Sequence, residues 1–318
     1  MRRNKIGNST VDITELSFGA AGIGNLFTPV DPAEAAEAVD AAWEVGIRYF
    51  DTAPHYGLGL SERRLGEALR DRPRAEYVLS TKVGRLLEPG PDEGDDTGNG
   101  FAVPATHHRV WDFSADGVRR SIEDSLARLG TDRIDIAYLH DPDSHAEDAF
   151  RYAYPMLEQL RSEGMLGAIG AGMNQTAMLT RFVRDTDADV VLCAGRCTLL
   201  DRSALDTLLP EAQARGRSVV VGGVFNSGLL ADPRPGAPYD YGAAPAGVLD
   251  RALRMKDICG RYGIPLRAAA LQFPRRHPAV ASVLVGTRSA AEVRDAAEML
   301  RLGIPEALWD ELAVLRED

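Results

Sequence analysis

Eight short apolar runs, at residues 15–20, 47–51, 77–82, 134–139, 166–172, 189–194, 218–224 and 282–286, recur along the chain with helical patterns between them. Most hold β-branched or aromatic residues and no charge, the composition of strands buried on both faces. Such strands need helices over them, and eight strand–helix alternations predict a closed (β/α)8 TIM barrel rather than an open sheet. A length of 318 residues suits that barrel as one domain spanning 1–318.

The intervening segments carry helix punctuation. Asp31 is a plausible cap with Pro32 at the first helical position of a helix reaching Trp43, and Ser61 reads as the cap of 61–69. Residues 114–129 place Val118, Ile122, Leu126 and Leu129 on one face, with Gly130 as the stop. Further helices are expected near 148–163, 176–185, 203–215, 246–262, 290–300 and 305–316. Residues 4–13 read as a small hairpin around Gly7-Asn8 that closes the barrel's bottom. Two segments break the economy of short connections: 84–113, rich in Gly, Pro and Asp, after the third strand, and 231–245 after the seventh. Loops of that length on the catalytic face read as lids, and Phe101, His107, His108 and Trp111 are available to line a pocket.

Composition narrows the function classes. Apolar content of 45% and charged content of 26% are ordinary for a soluble globular chain. A net charge of −11 argues against an extended nucleic-acid footprint and against attraction to an anionic membrane. Met1-Arg-Arg is followed by polar residues, and no run approaches a membrane span, so a cytoplasmic location is expected. Cys193, Cys197 and Cys259 form no even framework and suit a reducing compartment. The Cys193-x-x-x-Cys197 spacing and His140-Asp-Pro-Asp143 come nearest to a metal pattern, but core thiols are the simpler reading and Pro142 splays the second set. No metal is expected. Gly19-Ala-Ala-Gly22-Ile-Gly24 has the wrong spacing for a Rossmann turn, and Walker, nucleophile-elbow and His-Glu-x-x-His patterns are absent.

Chemistry gathers at strand ends. Asp51, Tyr56, Lys82 and His140 stand in or just after the second, third and fourth apolar runs, whose C-terminal ends meet at the catalytic face of a barrel. Any one of them alone would serve as a cap, a surface charge or a satisfied hydrogen-bonding group; the convergence of four is what points to catalysis. Tyrosine needs help to trade a proton near neutral pH, since its ordinary pKa is about 10. A buried ammonium at roughly 4 Å favours phenolate by about 4 kcal/mol at an effective dielectric near 20, or about 3 pKa units. Lys82 is the candidate ammonium, Asp51 would hold it charged, and His140 would hydrogen-bond the reacting oxygen. The set suits carbonyl–alcohol redox chemistry, with Tyr56 titrating below free tyrosine.

Phe50-Asp-Thr-Ala-Pro-His-Tyr-Gly57, Leu79-Ser-Thr-Lys-Val-Gly84 and Asp135-Ile-Ala-Tyr-Leu-His140 resemble signatures of the aldo-keto reductase superfamily, and the likeness runs from Leu16 to Arg294. His140-Asp-Pro-Asp143, Gly170-Ala-Gly-Met-Asn-Gln175 and Phe225-Asn-Ser-Gly-Leu-Leu230 are similar to the branch of D-threo-aldose 1-dehydrogenases, L-fucose and L-galactose dehydrogenases and pyridoxal 4-dehydrogenase. The resemblance implies a nicotinamide cofactor extended across the barrel top. It makes Tyr56 the proton-transfer residue, tuned by Lys82 and Asp51, with His140 placing the substrate oxygen and His55, Trp111 and Asp141 beside it. Asn174 matches the asparagine that holds the carboxamide; Gly19, Ala20, Ser227, Gly228 and Leu229 match cofactor-wall positions, and Asp51 borders the same wall. Two positions depart from the pattern. Ala194 stands where the family carries a glutamine, with Arg196 two residues on, and Asn226 takes the ring-stacking aromatic position next to Phe225.

Val285-Gly-Thr-Arg-Ser-Ala-Ala-Glu292 resembles the adenosine-phosphate segment, running from the last strand into a helix N-terminus. Backbone donors around Gly286 and Thr287 suffice for phosphate there. Glu292 stands where NADP-preferring relatives place a base, and its carboxylate would repel a 2′-phosphate and accept from a ribose diol. Arg288 pulls toward NADP. An acidic first-turn residue also complements the helix dipole without any ligand. NAD is the expected cofactor and NADP the alternative. The expected reaction is oxidation of an aldose at C1 to a lactone, with pyridoxal or a small aldehyde as the alternative substrate and a cofactor-binding regulatory subunit as the alternative class.

Overall fold

The computed structural model of the chain describes residues 1–90, 94–240 and 242–315. Residues 91–93 and 241 of the two long loops, and residue 316 of the last expected helix, lie outside the described residues. Eight strands, β1 (Leu16–Gly19), β2 (Tyr49–Asp51), β3 (Val78–Val83), β4 (Ile136–His140), β5 (Ala168–Met173), β6 (Val190–Ala194), β7 (Ser218–Gly222) and β8 (Val280–Gly286), close into a parallel barrel in sequence order. Closure pairs Val283 of β8 with Leu16 of β1 and Gly286 with Gly19. The strands coincide with the eight apolar runs to within two residues at each end.

Period-two alternation divides the strand side chains. Val190, Leu192, Tyr49 and Tyr138 point into the barrel, while Val191, Cys193, Phe50 and Leu139 meet the surrounding helices in one continuous core. The helices are α1 (Pro32–Glu44), α2 (Leu60–Leu69), α3 (Ala115–Leu129), α4 (Tyr154–Ser162), α5 (Thr176–Asp185), α6 (Leu208–Ala214), α7 (Ala246–Arg261), α8 (Leu266–Gln272), α9 (Ala290–Arg301) and α10 (Glu306–Val314). Asp31 caps α1 by accepting the Ala33 N–H, and Ser114 caps α3 by accepting that of Gly117. At the floor, Arg3–Lys5 pairs antiparallel with Asp12–Thr14 around Gly7, whose φ of +47° favours glycine. Ile6, Val11 and Ile13 of this hairpin pack into the barrel's interior cluster and close its bottom. No described helix is long and apolar enough to cross a membrane.

Several expectations need correction. Ser61 lies inside α2 rather than capping it, because its hydroxyl is taken by the Ala20 carbonyl at 2.7 Å and Thr52 at 2.8 Å; Gly59, with φ +77°, stands at the cap. The expected 148–163 helix has a π-helical turn over Ala149–Ala153 before α4, and 203–215 is a 3-10 turn followed by the shorter α6. α8 carries no apolar periodicity that separates it from its neighbours and was not expected. The segment 84–113 is partly regular: Arg85–Pro89 pairs antiparallel with His107–Trp111 and forms a two-stranded ribbon after β3. In the second long loop, Pro238–Tyr239 pairs with Gly242–Ala243.

Gly66 in α2 gives a test in which two physical effects oppose each other. A Cβ there would fall 2.1 Å from the Leu129 carbonyl oxygen, so glycine lets α2 and α3 approach closely. Intrinsic propensity alone makes Gly66→Ala stabilising by about 1 kcal/mol, whereas overpacking costs about 1–3 kcal/mol. The substitution is expected to lower the thermal midpoint by several degrees, as read by calorimetry; a raised midpoint would show that the helices part freely.

Candidate active site

Strand ends deliver the expected tetrad to one place. Asp51 ends β2, Lys82 lies near the end of β3 and His140 ends β4, all three buried, and Tyr56 follows on the β2–α2 connection, half-buried. Lys82 Nζ donates to Asp51 Oδ2 at 2.6 Å and to the Thr52 carbonyl at 2.9 Å. The same ammonium lies 4.6 Å from the centroid of the Tyr56 ring. His140 meets that ring edge-on, with centroids 5.9 Å apart and planes at 89°.

A polar ladder inside the barrel fixes Asp51 from below. The Ser80 hydroxyl donates to Asp51 Oδ1 at 2.7 Å and lies 3.1 Å from the Tyr49 hydroxyl, which bonds that of Tyr138 at 3.0 Å. Both tyrosines read as apolar strand residues in the sequence; their alternate positions on β2 and β4 were the available signal that they face inward.

Electrostatics follow from this packing. Burial opposes charge on Lys82, but Asp51 and Tyr56 beside it raise its pKa above the ordinary lysine value, so it stays an ammonium. Burial raises the Tyr56 pKa; Lys82 pulls it down and Asp51 pushes it up, and the outcome lies above the ordinary tyrosine value. The expected titration below free tyrosine is therefore not met in the chain alone, because desolvation and the Asp51 carboxylate outweigh the ammonium. His140 lies well below the ordinary histidine value through burial and then Arg85, Lys82, His55 and Arg109. His55 falls to about 2 through burial, Arg85, Arg109 and Lys82. Both imidazoles are neutral, and the Nδ1 atom of each is buried without a partner.

A groove with a cavity of about 440 Å3 leads from Asp51 and Tyr56 across the ends of β7 and β8. Gly19, Phe225, Ser227, Gly228, Gly286, Thr287, Arg288 and Glu292 line it as expected. Asn226 and Ser227 both have positive φ, 46° and 60°, and begin the turn that borders it. Five expected residues are placed otherwise. Ala20 is fully buried; Leu229 is packed with Leu199, Leu230 and Met255; Arg196 is held by Asp201 and Asp240; Asn226 is buried with Nδ2 toward the Gly195 carbonyl. Asn174 lines a neighbouring polar pocket with Arg85, Trp111 and Asp141. The sequence reading missed Gly22, Phe27, Arg267 and Asp295 in the groove wall; Arg267 sits on α8, the helix it did not find.

The groove suits an extended nucleotide cofactor. Added Cβ atoms at Gly228 and Gly286 would meet nothing within 4 Å, so the wall stands open at both points, and Thr287 Oγ1 is buried without a partner. At its far end α9 begins with its Ser289 cap, Glu292 Oε2 accepts the Arg288 N–H at 2.8 Å, and the Arg288 guanidinium reaches Thr28 at 2.8 Å. Phe101 packs edge-on to His55 at 5.3 Å and lies 6.0 Å from the Tyr56 ring. His107 bonds its neighbour Thr106, and His108 is exposed on the ribbon.

The model of the aldo/keto reductase family matches residues 15–317. Among curated relatives, D-threo-aldose 1-dehydrogenase of a Pseudomonas species is 48% identical over 96% of this chain and 94% of the relative. Pyridoxal 4-dehydrogenase of Microbacterium luteolum is 39% identical over 98% and 96%, and L-galactose dehydrogenase of Arabidopsis thaliana is 30% identical over 98% and 93%. Among solved structures, the holo form of aldo-keto reductase AKR11C1 from Bacillus halodurans superposes with a TM-score of 0.78 at 26% identity, over 100% of this chain and 97% of that one. Barrel, strand-end tetrad and sequence kinship agree: this chain belongs to the aldo/keto reductase family and is an NAD(P)-dependent oxidoreductase.

Proposed function

We propose that the enzyme oxidises an aldose at C1 to the lactone, with Tyr56 as the general acid/base and NAD as the preferred cofactor. The observation that carries this reading is the half-buried Tyr56 ring, 4.6 Å from the Lys82 ammonium and edge-on to neutral His140, at the head of the groove. The 48% identity to a D-threo-aldose 1-dehydrogenase supports the substrate class. The 39% identity to a pyridoxal 4-dehydrogenase favours a second reading with the same chemistry on an aromatic aldehyde. NADH formation over a panel of aldoses and pyridoxal separates them; turnover of pyridoxal alone would overturn the aldose reading.

Each residue's part follows from its surroundings. Tyr56 as phenolate accepts the C1 hydroxyl proton; Lys82, kept charged by Asp51, stabilises that phenolate. Neutral His140 retains one N–H with which to orient the substrate oxygen, and it carries no charge to compete for the proton. Gly286, Thr287, Arg288 and Glu292 would hold the adenosine end of the cofactor, and Gly19, Ser227 and Gly228 the wall nearer Tyr56. When bound there, an oxidised nicotinamide would supply the hydride acceptor. Glu292 supports NAD over NADP: its carboxylate is anchored by the Arg288 N–H at the groove wall, while the Arg288 guanidinium is engaged by Thr28.

Three measurements follow. Tyr56→Phe should lower turnover by about 10² to 10⁴ while fluorescence titration shows cofactor binding nearly intact; unchanged turnover would remove Tyr56 from the chemistry. Because the reactive form is the phenolate and its pKa is raised, oxidation should climb with pH through the alkaline range. Lys82→Met removes the favouring charge and should move the residual profile further alkaline; a wild-type plateau below neutral pH, with chemistry rate-limiting, would contradict this. Glu292→Arg should shift relative kcat/KM toward NADP by roughly 5- to 150-fold, with Arg288→Ala mattering little for NAD. A wild type that prefers NADP and loses that preference on Arg288→Ala would assign the phosphate to Arg288.

A further inference from the structure

We infer that Arg85 and Asp141 form a diol-recognition subsite beside the reacting carbon, and that Trp111 acts through Arg85 as a positioning residue. The inference rests on the reading of a carbonyl–alcohol oxidoreductase at Tyr56 and names the feature by which its substrates are selected, a hydroxyl pair next to the carbonyl.

The ribbon after β3 builds the subsite. Arg85 and Trp111 face each other across its two strands, and the guanidinium carbon lies 4.3 Å from the indole centroid. Stacking of that kind fixes the plane of a guanidinium and so the directions of its N–H groups. Phe113 and His145 contact the same indole at 6.0 and 5.0 Å, so Trp111, although 45% exposed, is held against Arg85. Arg85 Nη2 donates to Asp141 Oδ2, and the two side chains are 12% and 33% exposed.

Asp141 is held against its backbone preference. It has φ 44° and ψ 56°, a left-handed conformation, directly before Pro142, and its N–H is fixed on the Gly172 carbonyl at 3.0 Å. That geometry turns the chain so that Asp141 Oδ2 lies 3.7 Å from His140 Nε2. The polar pocket they open on is also lined by Ser144, Asn174 and Gln175, with a cavity of about 270 Å3. Among the described residues no group of His, Cys, Asp and Glu there could hold a metal ion. What remains is a fixed carboxylate acceptor beside a fixed guanidinium donor, the carboxylate 3.7 Å from the residue assigned to the substrate oxygen. Neighbouring hydroxyls on the carbons next to a carbonyl supply the complementary donor and acceptor. An unsubstituted or aromatic aldehyde excludes water from both groups while offering them nothing beyond their mutual bond, which a site built for hydroxyls penalises.

The test compares reduction of glyceraldehyde and propanal, two aldehydes that differ by two hydroxyls, in the wild type and in Arg85→Met, Asp141→Asn and Trp111→Leu. The wild type should favour glyceraldehyde in kcat/KM by at least about tenfold, and Arg85→Met and Asp141→Asn should reduce that ratio by about ten- to hundredfold. Trp111→Leu should reduce it less, mainly through KM. A wild-type ratio near one, or a uniform loss on both substrates that leaves the ratio intact, would overturn the subsite, the latter showing that the pair only supports the tetrad. A wild type that keeps the discrimination yet oxidises no aldose would sink the aldose reading and leave the subsite standing.

Discussion

The buried ion pair between Lys82 and Asp51 is the constraint on which the site depends. Both side chains are almost fully removed from water, 3% and 2% exposed, and breaking such a pair from one side costs about 3–5 kcal/mol because it strands a charge. The barrel meets that demand from beneath. Ser80 satisfies the second Asp51 oxygen, Tyr49 and Tyr138 continue the ladder downward, and the Thr52 carbonyl takes another ammonium proton. The position of Lys82 under the Tyr56 ring is thus set by three strands together, and a shift of any one would be felt at the phenol.

Around this pair the site is densely charged yet balanced. Arg85 faces Asp141, and Arg109 makes two bonds to Asp96, one to each carboxylate oxygen, while also holding the His55 carbonyl. Three cations close to two imidazoles make protonating either histidine unfavourable, on top of the cost of burial. The consequence is division of labour: the proton that moves belongs to tyrosine, and the histidines serve as neutral hydrogen-bonding groups. The ribbon formed by Arg85–Pro89 and His107–Trp111 contributes two of those three cations, Arg85 and Arg109, so the long β3 connection also sets the site's electrostatics.

Much of this was legible because its signals are local. Apolar runs free of charge gave the strands, and Asp31, Pro32, Ser114 and Gly130 marked helix ends that the structure keeps. Polar residues at the C-terminal ends of runs pointed to Asp51, Lys82 and His140. What escaped depends on long-range pairing. Arg85 meets Trp111 only once the ribbon forms, Asp141 meets Arg85 only once β3 and β4 are neighbours, and Ser61 turns to Ala20 and Thr52 only when α2 docks. Arg267 and Asp295 reach the groove wall from α8 and α9, joined by an ion pair that no spacing in the chain announces. The Tyr56 pKa lies above the ordinary tyrosine value, against the pull of Lys82, because burial is the larger influence, and burial is not written in the local sequence.

Closure of the barrel has a consequence for synthesis. Ser17 of β1 bonds the Val283 carbonyl of β8, 266 residues later, and Asn4 of the floor hairpin bonds the Ala281 carbonyl, 277 residues later. At ribosomal speeds of 5–20 residues per second, β1 waits roughly ten to sixty seconds for the neighbour that completes it. Throughout that interval the unfinished sheet presents two unpaired edges of parallel strand, the arrangement most open to pairing with another nascent chain. The enzyme's final stitch is therefore also its most exposed moment, a period in which molecular chaperones have the greatest purchase on it.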